Sequence, residues 1–504
     1  MDKYMLLELD GHGPQYAQLT RALQAAIADG RLSEGMRLPS TRTLALELGL
    51  SRNTVLTSYE QLRAEGCIRS QARSGNYACI ASAAPATTHI PGSDIAPPST
   101  YASRARQIHG RSSAQRHPGL HFDLSYGNAA TDPTLNAAWG RELARAAIYT
   151  PSAAAHPQGV PALREQVCRH LLRNRGVHAQ PEQILIVNGF QQAITLTARV
   201  LIEEDAVAVV EEPHYHRTSQ ALSAHGARLH PVPVDHDGLL CTALPEHAPR
   251  LVCVTPSHQF PTGAVMSLAR RMELLRYIEA GQGWILEDDY DGGLRHDSRH
   301  PAALRALDRN DRVIHAGSFS MSMFPAMRLG YMMLPEPLRD DFVNAKCLCD
   351  DSSSAIDQAA LARFMENGGF ERHLRRTTKA LRASRTALLE GLQRHVGARA
   401  QIATDHACMH LAVWLPGYGD EQLESLIAEA REHGLGLHSM ASHYLQQPTK
   451  PGLLLGYGGY TGTQLREAMR IFGTCLDRVD ARTRPLVAHD LRFPHCIDTV
   501  ALET

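Results

Sequence analysis

Lysine is almost missing from this chain: of its 51 basic residues only four are lysine, at Lys3, Lys346, Lys379 and Lys450. Any chemistry that needs a free amine therefore has few candidates. Long apolar runs are missing too. No stretch approaches the roughly 18 residues of a membrane helix, and no signal-peptide pattern opens the sequence, so a cytoplasmic protein with no membrane partner is expected. The ten cysteines follow no repeated spacing. Cys347 and Cys349 stand one residue apart, poor spacing for a zinc knuckle, so reduced thiols and no metal site are the expectation. Excess charge is absent as well: the formal net charge is -1, so any nucleic-acid contact must come from a local surface. What remains is 504 residues at 43% hydrophobic, enough for about two to four compact units.

The first 80 residues read as three helices and a hairpin. Tyr16, Leu19, Leu23 and Ile27 share one helical face, ended by Gly30; Leu44 and Leu48 carry a second helix that stops at Gly49. Ser51 is a natural N-cap for the third, with Leu50 and Val55 in the positions of a hydrophobic staple and Tyr59 and Leu62 continuing its buried stripe. Only Gly49-Leu50-Ser51 separates the last two helices, the tight turn of a helix-turn-helix. Residues 66–70 and 75–78 then read as two short strands, a wing. Between residues 37 and 73 the bases Arg37, Arg42, Arg52, Arg63, Arg69 and Arg73 outnumber the acids Glu47, Glu60 and Glu65. Arg52, Asn53 and Thr54 fall in the first turn of the third helix, where amides meet a phosphate and side chains reach base edges. From these features alone a helical dimerisation module with a solvated basic face also stays open.

Leu38-Pro39-Ser40-Thr41-Arg42, Leu44-Ala45, Leu48 to Val55, Tyr59, Leu62 and Glu65-Gly66 resemble nearly the whole GntR winged-helix motif. The resemblance implies that Arg42, Ser51, Arg52, Asn53, Thr54 and the wing at Gly75 form a double-stranded DNA surface, with Arg42 and Arg52 mainly positioning phosphates.

Residues 81–119 hold five prolines among Ala, Ser and Thr, with no apolar period lasting two turns, and are expected to be a flexible linker. Its arginines, Arg104, Arg106, Arg111 and Arg116, either touch DNA or keep the tether soluble.

From residue 120 on, short continuous apolar runs alternate with helical patterns. The runs are residues 184–187, 206–210, 251–254, 284–286, 313–314 and 331–334, as a mainly parallel sheet covered on both sides requires. Polar stations follow most of them, where open α/β sheets place ligands. They are Asn188 to Gln192, Glu211 to Tyr215, His258 to Gly263, Glu287 to Asp291, and the loop Gly317 to Gly330. Together these stations resemble the fold-type I, class I/II aminotransferase domain, in the form carried by the MocR subfamily of GntR regulators.

That resemblance implies an α/β pyridoxal-phosphate transferase-like large domain (120–369) and a smaller C-terminal α+β domain (370–504) that starts with a long leucine-patterned helix. Residues past 480 give no pattern. It implies a head-to-tail homodimer and a cofactor site in which Asp288 pairs with the ring nitrogen, Tyr290 with the phenolic oxygen and Tyr215 stacks on the ring, while Gly189, Phe190, Ser318, Ser320 and Arg328 surround the phosphate. Two departures fall at the reacting centre. Met321 stands where the family has the lysine that holds the cofactor covalently, and a thioether has no amine. Leu454 stands where the family commonly has an arginine for the substrate carboxylate, with His443 as a weaker neighbour able to substitute in part. The sequence therefore points to a DNA-binding regulator that senses a small molecule (pyridoxal 5′-phosphate, its amino-acid adduct or another metabolite), held without covalent attachment, and has no catalytic residue. An aminotransferase, or a regulator whose large domain only dimerises, stays open.

Overall fold

The computed structural model describes residues 7–71, 74–79, 97–109, 119–128, 132–151, 155–291, 293–294, 302–404, 409–448 and 450–483, in two compact units that divide between Pro97 and Pro98. In the first unit, helices α1 (Gln15–Ala28), α2 (Thr41–Leu48) and α3 (Arg52–Ala64) precede the antiparallel hairpin β1 (Ile68–Gln71) and β2 (Gly75–Ala78). Serine caps start two of the helices. Ser40 Oγ accepts the Thr43 amide at 3.1 Å and Ser51 Oγ the Thr54 amide at 3.0 Å, each satisfying a donor the helix leaves open. Leu19, Leu23, Leu44, Val55, Tyr59, Leu62 and Ile68 form the core, each no more than 2% exposed. Tyr16 departs from the expected stripe at 39% exposed; beside it Thr20 is buried, with its hydroxyl 3.0 Å from Ser58 Oγ. Arg37 bridges to Tyr77 and extends the hairpin, and a Cβ on Gly75 would lie 3.1 Å from Arg37 Nε. Arg73, expected in the wing, lies outside the described residues.

The second unit is built on an eight-stranded sheet. Its spatial order is Ile184–Val187, Gly330–Met333, Val313–Ser318, Trp284–Asp289, Leu251–Val254, Val207–Glu212, Arg228–Asp235 and Gly238–Leu239. Five central strands run parallel, while Gly330–Met333 and Gly238–Leu239 run against their neighbours. Side chains leave alternate faces, so Ile184 and Ile186 enter one core cluster and Leu185 and Val187 another. Burial on both faces is what makes these strands read as unbroken apolar runs.

Helix Gly369–His395 leads to the C-terminal part, where Gln401–Ile402, His410–Trp414 and Gly452–Gly456 pair antiparallel beside the helices Asp420–Glu432 and Gly462–Thr483. That part does not begin at residue 370 alone. Phe122–Asp123 pairs parallel with Leu435–Gly436, Tyr460 Oη donates to Asp123 O at 2.9 Å, and the Gly456 amide donates to Leu124 O at 2.8 Å.

The flexible linker expected over 81–119 is corrected at its centre. Thr100–His109 forms helix α4, capped by Ser99 Oγ accepting from the Ala102 amide at 3.2 Å, and it packs in the second unit against the helix His216–Ala224. Ala102, Ala105 and Ile108, spaced three apart and half-buried, are the stripe that the prolines and small residues around them obscure. Residues 80–96 and 110–118, with Arg111 and Arg116, lie outside the described residues, as do 484–504. Among the described residues no helix is long and apolar enough to cross a membrane, and none of the His, Cys, Asp and Glu residues group as a metal site.

Candidate functional site

The site lies at the carboxyl ends of the parallel strands. Strand Trp284–Asp289 and the two residues after it bring four buried carboxylates together: Glu287, Asp288, Asp289 and Asp291. Buried carboxylates need partners. Glu287 accepts the amides of Leu304 (2.7 Å) and Arg305 (2.9 Å) and lies 3.0 Å from His315 Nδ1. Asp289 accepts Arg175 Nε at 2.6 Å, and Asp291 accepts Arg175 Nη2 at 2.9 Å and pairs with His258. Burial opposes the charge of Arg175, but Asp289 and Asp291 outweigh it and keep the guanidinium protonated. Asp288 projects to the other face of its strand, and its Oδ1 is buried with no hydrogen-bond partner. Burial first, then the charges of Asp289, Asp291, Glu211 and Glu287, push its carboxyl well above the usual range.

Asp288 lines a small cavity with Phe190, Glu211, Tyr215, Thr218 and Thr255. Glu211 is held by Thr255 Oγ1 (2.6 Å), the Thr255 amide (3.1 Å) and Gln259 Nε2 (3.2 Å), while its Oε1 has no partner. Burial pushes it up to about 7. A row of rings then runs away from the cavity: Phe190 to Tyr215 at 6.3 Å, Tyr215 to Phe260 at 5.5 Å, Phe260 to Tyr290 at 5.6 Å. Tyr126 and His410 close onto Phe260 at 4.7 and 5.2 Å.

Helix Phe190–Leu201, whose first residue lines that cavity, starts at Gly189 with no side-chain cap, which leaves its first amides suited to an anion. Gly189 has φ +76°, and a Cβ there would come within 2.9 Å of Arg328 Nη2; that guanidinium donates to Asn188 O at 3.1 Å. Ser318 Oγ accepts the Ser320 amide at 3.1 Å, and Ser320 Oγ is buried without a partner. Among the unpartnered groups, Asp288 Oδ1 and Ser320 Oγ are what a ring nitrogen and a phosphate would satisfy, so the residues present fit pyridoxal phosphate at those two points.

The reacting side is different. Met321 is half-buried against the main core, and Leu454 joins Phe260, Ala412 and Met440 in an apolar cluster with Tyr126, Tyr215 and Tyr290 against it. Lys346, buried, is not a spare amine: its Nζ contacts Asp350 at 2.7 and 3.0 Å and Ser353 Oγ at 3.1 Å. His443 is corrected as a cationic substitute. Burial, then the neighbouring His216, push its imidazole down to about 3, so it is neutral at pH 7 and donates from Nδ1 to His214 O at 3.2 Å.

In the first unit Arg42, Ser51, Arg52, Asn53 and Gly75 are exposed. Thr54 is half-buried with its hydroxyl 2.8 Å from Ser51 Oγ, so it completes the cap. Glu211, Phe260, Tyr126, His410 and Arg175 were not among the residues expected at the site. Phe260 lay within one of the polar stations, whereas Arg175, Tyr126 and His410 come from distant segments with no local signal.

Comparison with known proteins agrees with both units. Residues 15–77 match the model of the bacterial regulatory proteins of the gntR family, and residues 122–435 match aminotransferase class I and II. The chain is 32% identical over 465 residues to the uncharacterized HTH-type transcriptional regulator YdeL of Bacillus subtilis, covering 91% of this chain and 96% of that one. It is 32% identical over 475 residues to the probable rhizopine catabolism regulatory protein MocR of Rhizobium meliloti, covering 92% and 94%. Among solved structures, the α-aminoadipate aminotransferase LysN of Thermus thermophilus, in complex with N-(5'-phosphopyridoxyl)-L-leucine, aligns with TM-score 0.67 and 25% identity over 77% of this chain and 98% of that chain. A GntR winged helix followed in one chain by a class I/II aminotransferase domain, shared nearly end to end with HTH-type regulators, places this protein in the MocR subfamily of GntR transcriptional regulators.

Proposed function

We propose that this DNA-binding regulator senses a small phosphorylated ring compound, pyridoxal 5′-phosphate or its amino-acid adduct, held without a covalent bond and without transamination. The observation that carries this reading is the buried Asp288 oxygen with no hydrogen-bond partner, which a ring nitrogen would satisfy, in a chain whose residue 321 is a methionine with no amine. Arg328, Ser318, Ser320 and the first turn of helix Phe190–Leu201 hold the phosphate, Asp288 the ring nitrogen, Tyr290 the phenolic oxygen, and Tyr215 covers the ring. When bound, pyridoxal phosphate supplies an aldehyde and an electron-withdrawing ring; the residues here orient it and exclude water, but Met321 can neither take a proton from it nor give one.

The winged helix binds a direct or inverted repeat, and the second unit pairs two chains head to tail. Ile148 and Tyr149, 72% and 78% exposed, support pairing, as does the ≈ 580 Å³ cleft among helices Pro133–Tyr149, Pro161–Arg175 and Ala355–Glu366. Its rim mixes Arg145, Arg169 and Arg363 with Glu165 and Glu366, a pattern able to meet a second copy of itself. Equilibrium dialysis with pyridoxal phosphate, then borohydride treatment and peptide mass spectrometry with and without added amino acids, tests the reading. Reversible binding without a lysine adduct is expected. A lysine adduct with rapid turnover of amino donors overturns it in favour of an aminotransferase, and no binding at all leaves the domain as a dimerisation scaffold.

A further inference from the structure

Helix α4 sits at the seam between the tether and the ligand-binding unit. Its ring contact is Tyr101 against His225, edge to face at 4.9 Å, and its ion pair is Arg104 with Glu204. The seat is shaped for that pair. Gly226 has φ +94°, and a Cβ there would fall 2.9 Å from Arg104 Nη1 and 2.7 Å from Glu204 Oε2, so a larger residue would be strained and would displace the ion pair. Yet the hold is light. No residue of α4 whose burial is described is fully buried, the ion pair is partly solvated, and a helix of ten residues is marginal without tertiary support.

The helix beneath it has two ends with different neighbours. His216–Ala224 begins at Tyr215, the ring that covers the cavity of Asp288, and its first residue His216 lies 5.4 Å from His443. Thr218 lines the same cavity. Its far end turns through His225 and Gly226, the seat of α4. A rigid nine-residue helix, about 13 Å long, thus joins the candidate ligand site to the clamp on the tether.

We propose that α4 is a releasable clasp that sets the reach of the DNA-binding head and is tightened by a ligand covering Tyr215. The second half of that statement rests on the ligand reading above. With α4 docked, the chain from Cys79 to Pro97 spans at most about 60 Å; with it released, the chain from Cys79 to Gly119 spans at most about 130–140 Å. Half-site spacing on the operator then reports the state of the clasp.

Two measurements on the full-length protein test this. Hydrogen exchange of the peptide covering 100–109 is compared in wild type, Arg104→Glu and the charge-swapped double variant Arg104→Glu with Glu204→Arg. Binding is titrated on a series of operators that differ only in half-site spacing. The single variant is expected to lose at least about tenfold protection in α4 and to accept a wider range of spacings, and the double variant to regain both. The clasp is overturned if the single variant matches wild type in either readout. Separately, pyridoxal phosphate binding is followed by dialysis, and saturating ligand is expected to raise α4 protection. Ligand that binds and leaves α4 unchanged overturns the coupling; ligand that does not bind sinks the ligand reading, while Arg104→Glu still decides the clasp.

Discussion

Gly189 and Arg328 stand so close that a single added carbon on the glycine would come within 2.9 Å of the guanidinium. The glycine also sits at φ +76° and ψ 176°, an essentially glycine-only region where an L side chain costs about 1–3 kcal/mol. Gly189→Ala is therefore expected to move Arg328 and lower affinity for pyridoxal phosphate at least about tenfold, while affinity for unphosphorylated pyridoxal changes little. Dialysis with the two compounds checks this, and an equal loss for both would remove the anion role from this corner.

A second outcome concerns Glu211, whose carboxyl burial raises from 4.5 to about 7. Between those values the folded protein keeps a proton that the unfolded chain has released, so stability from this group is full at low pH and falls as pH rises through the window. One pKa unit is 1.36 kcal/mol, which makes the fall about 3 kcal/mol. Glu211→Gln is expected to remove that slope, so its stability gains on wild type from about pH 5 to pH 8 in urea titrations. A constant difference across that range contradicts the assignment.

In the winged helix, Ser51→Ala and Arg52→Ala separate folding from recognition. Losing the cap that holds the Thr54 amide is expected to cost about 1 kcal/mol of stability in the fragment 1–80. Losing the exposed Arg52 is expected to leave stability unchanged and weaken operator binding more than about tenfold. Thermal melts and gel shifts at fixed salt read the two effects, and an Arg52→Ala protein that binds as wild type does would take α3 out of the groove.

Met321→Lys supplies an amine at the position that resembles the family's cofactor lysine. Borohydride reduction is then expected to trap pyridoxal phosphate on residue 321, with transamination still poor because Leu454 offers the substrate carboxylate no charge. A variant that still ignores the cofactor favours the scaffold reading.

The winged helix was legible because caps, a tight turn and a repeated apolar face are all local. The sheet was legible from Ile184–Val187 and its companions, since strands buried on both faces leave unbroken apolar runs. The strand that carries Asp288 was legible, but not the isolation of that carboxylate: Arg175, more than a hundred residues away, claims Asp289 and Asp291 and leaves Asp288 Oδ1 without a partner. His443 was misread for a related reason. An imidazole has a fixed identity in sequence, whereas its protonation is set by burial and by His214 and His216 around it. Helix α4 was missed because Ala102, Ala105 and Ile108 are too few to stand out among five prolines, and the residues that Tyr101 and Arg104 meet, His225 and Glu204, lie far along the chain.

The short strand Phe122–Asp123 has a practical consequence for building hybrids of this regulator. Because it is sewn to Leu435–Gly436 and tied by Tyr460, the C-terminal part is not a contiguous cassette. A graft that joins a foreign head after residue 130, or exchanges residues 370–504 by themselves, leaves one edge without its mate. Seams placed ahead of Ser99 keep that strand and α4 with their partners, and exchange of second units between regulators of this kind should be planned there.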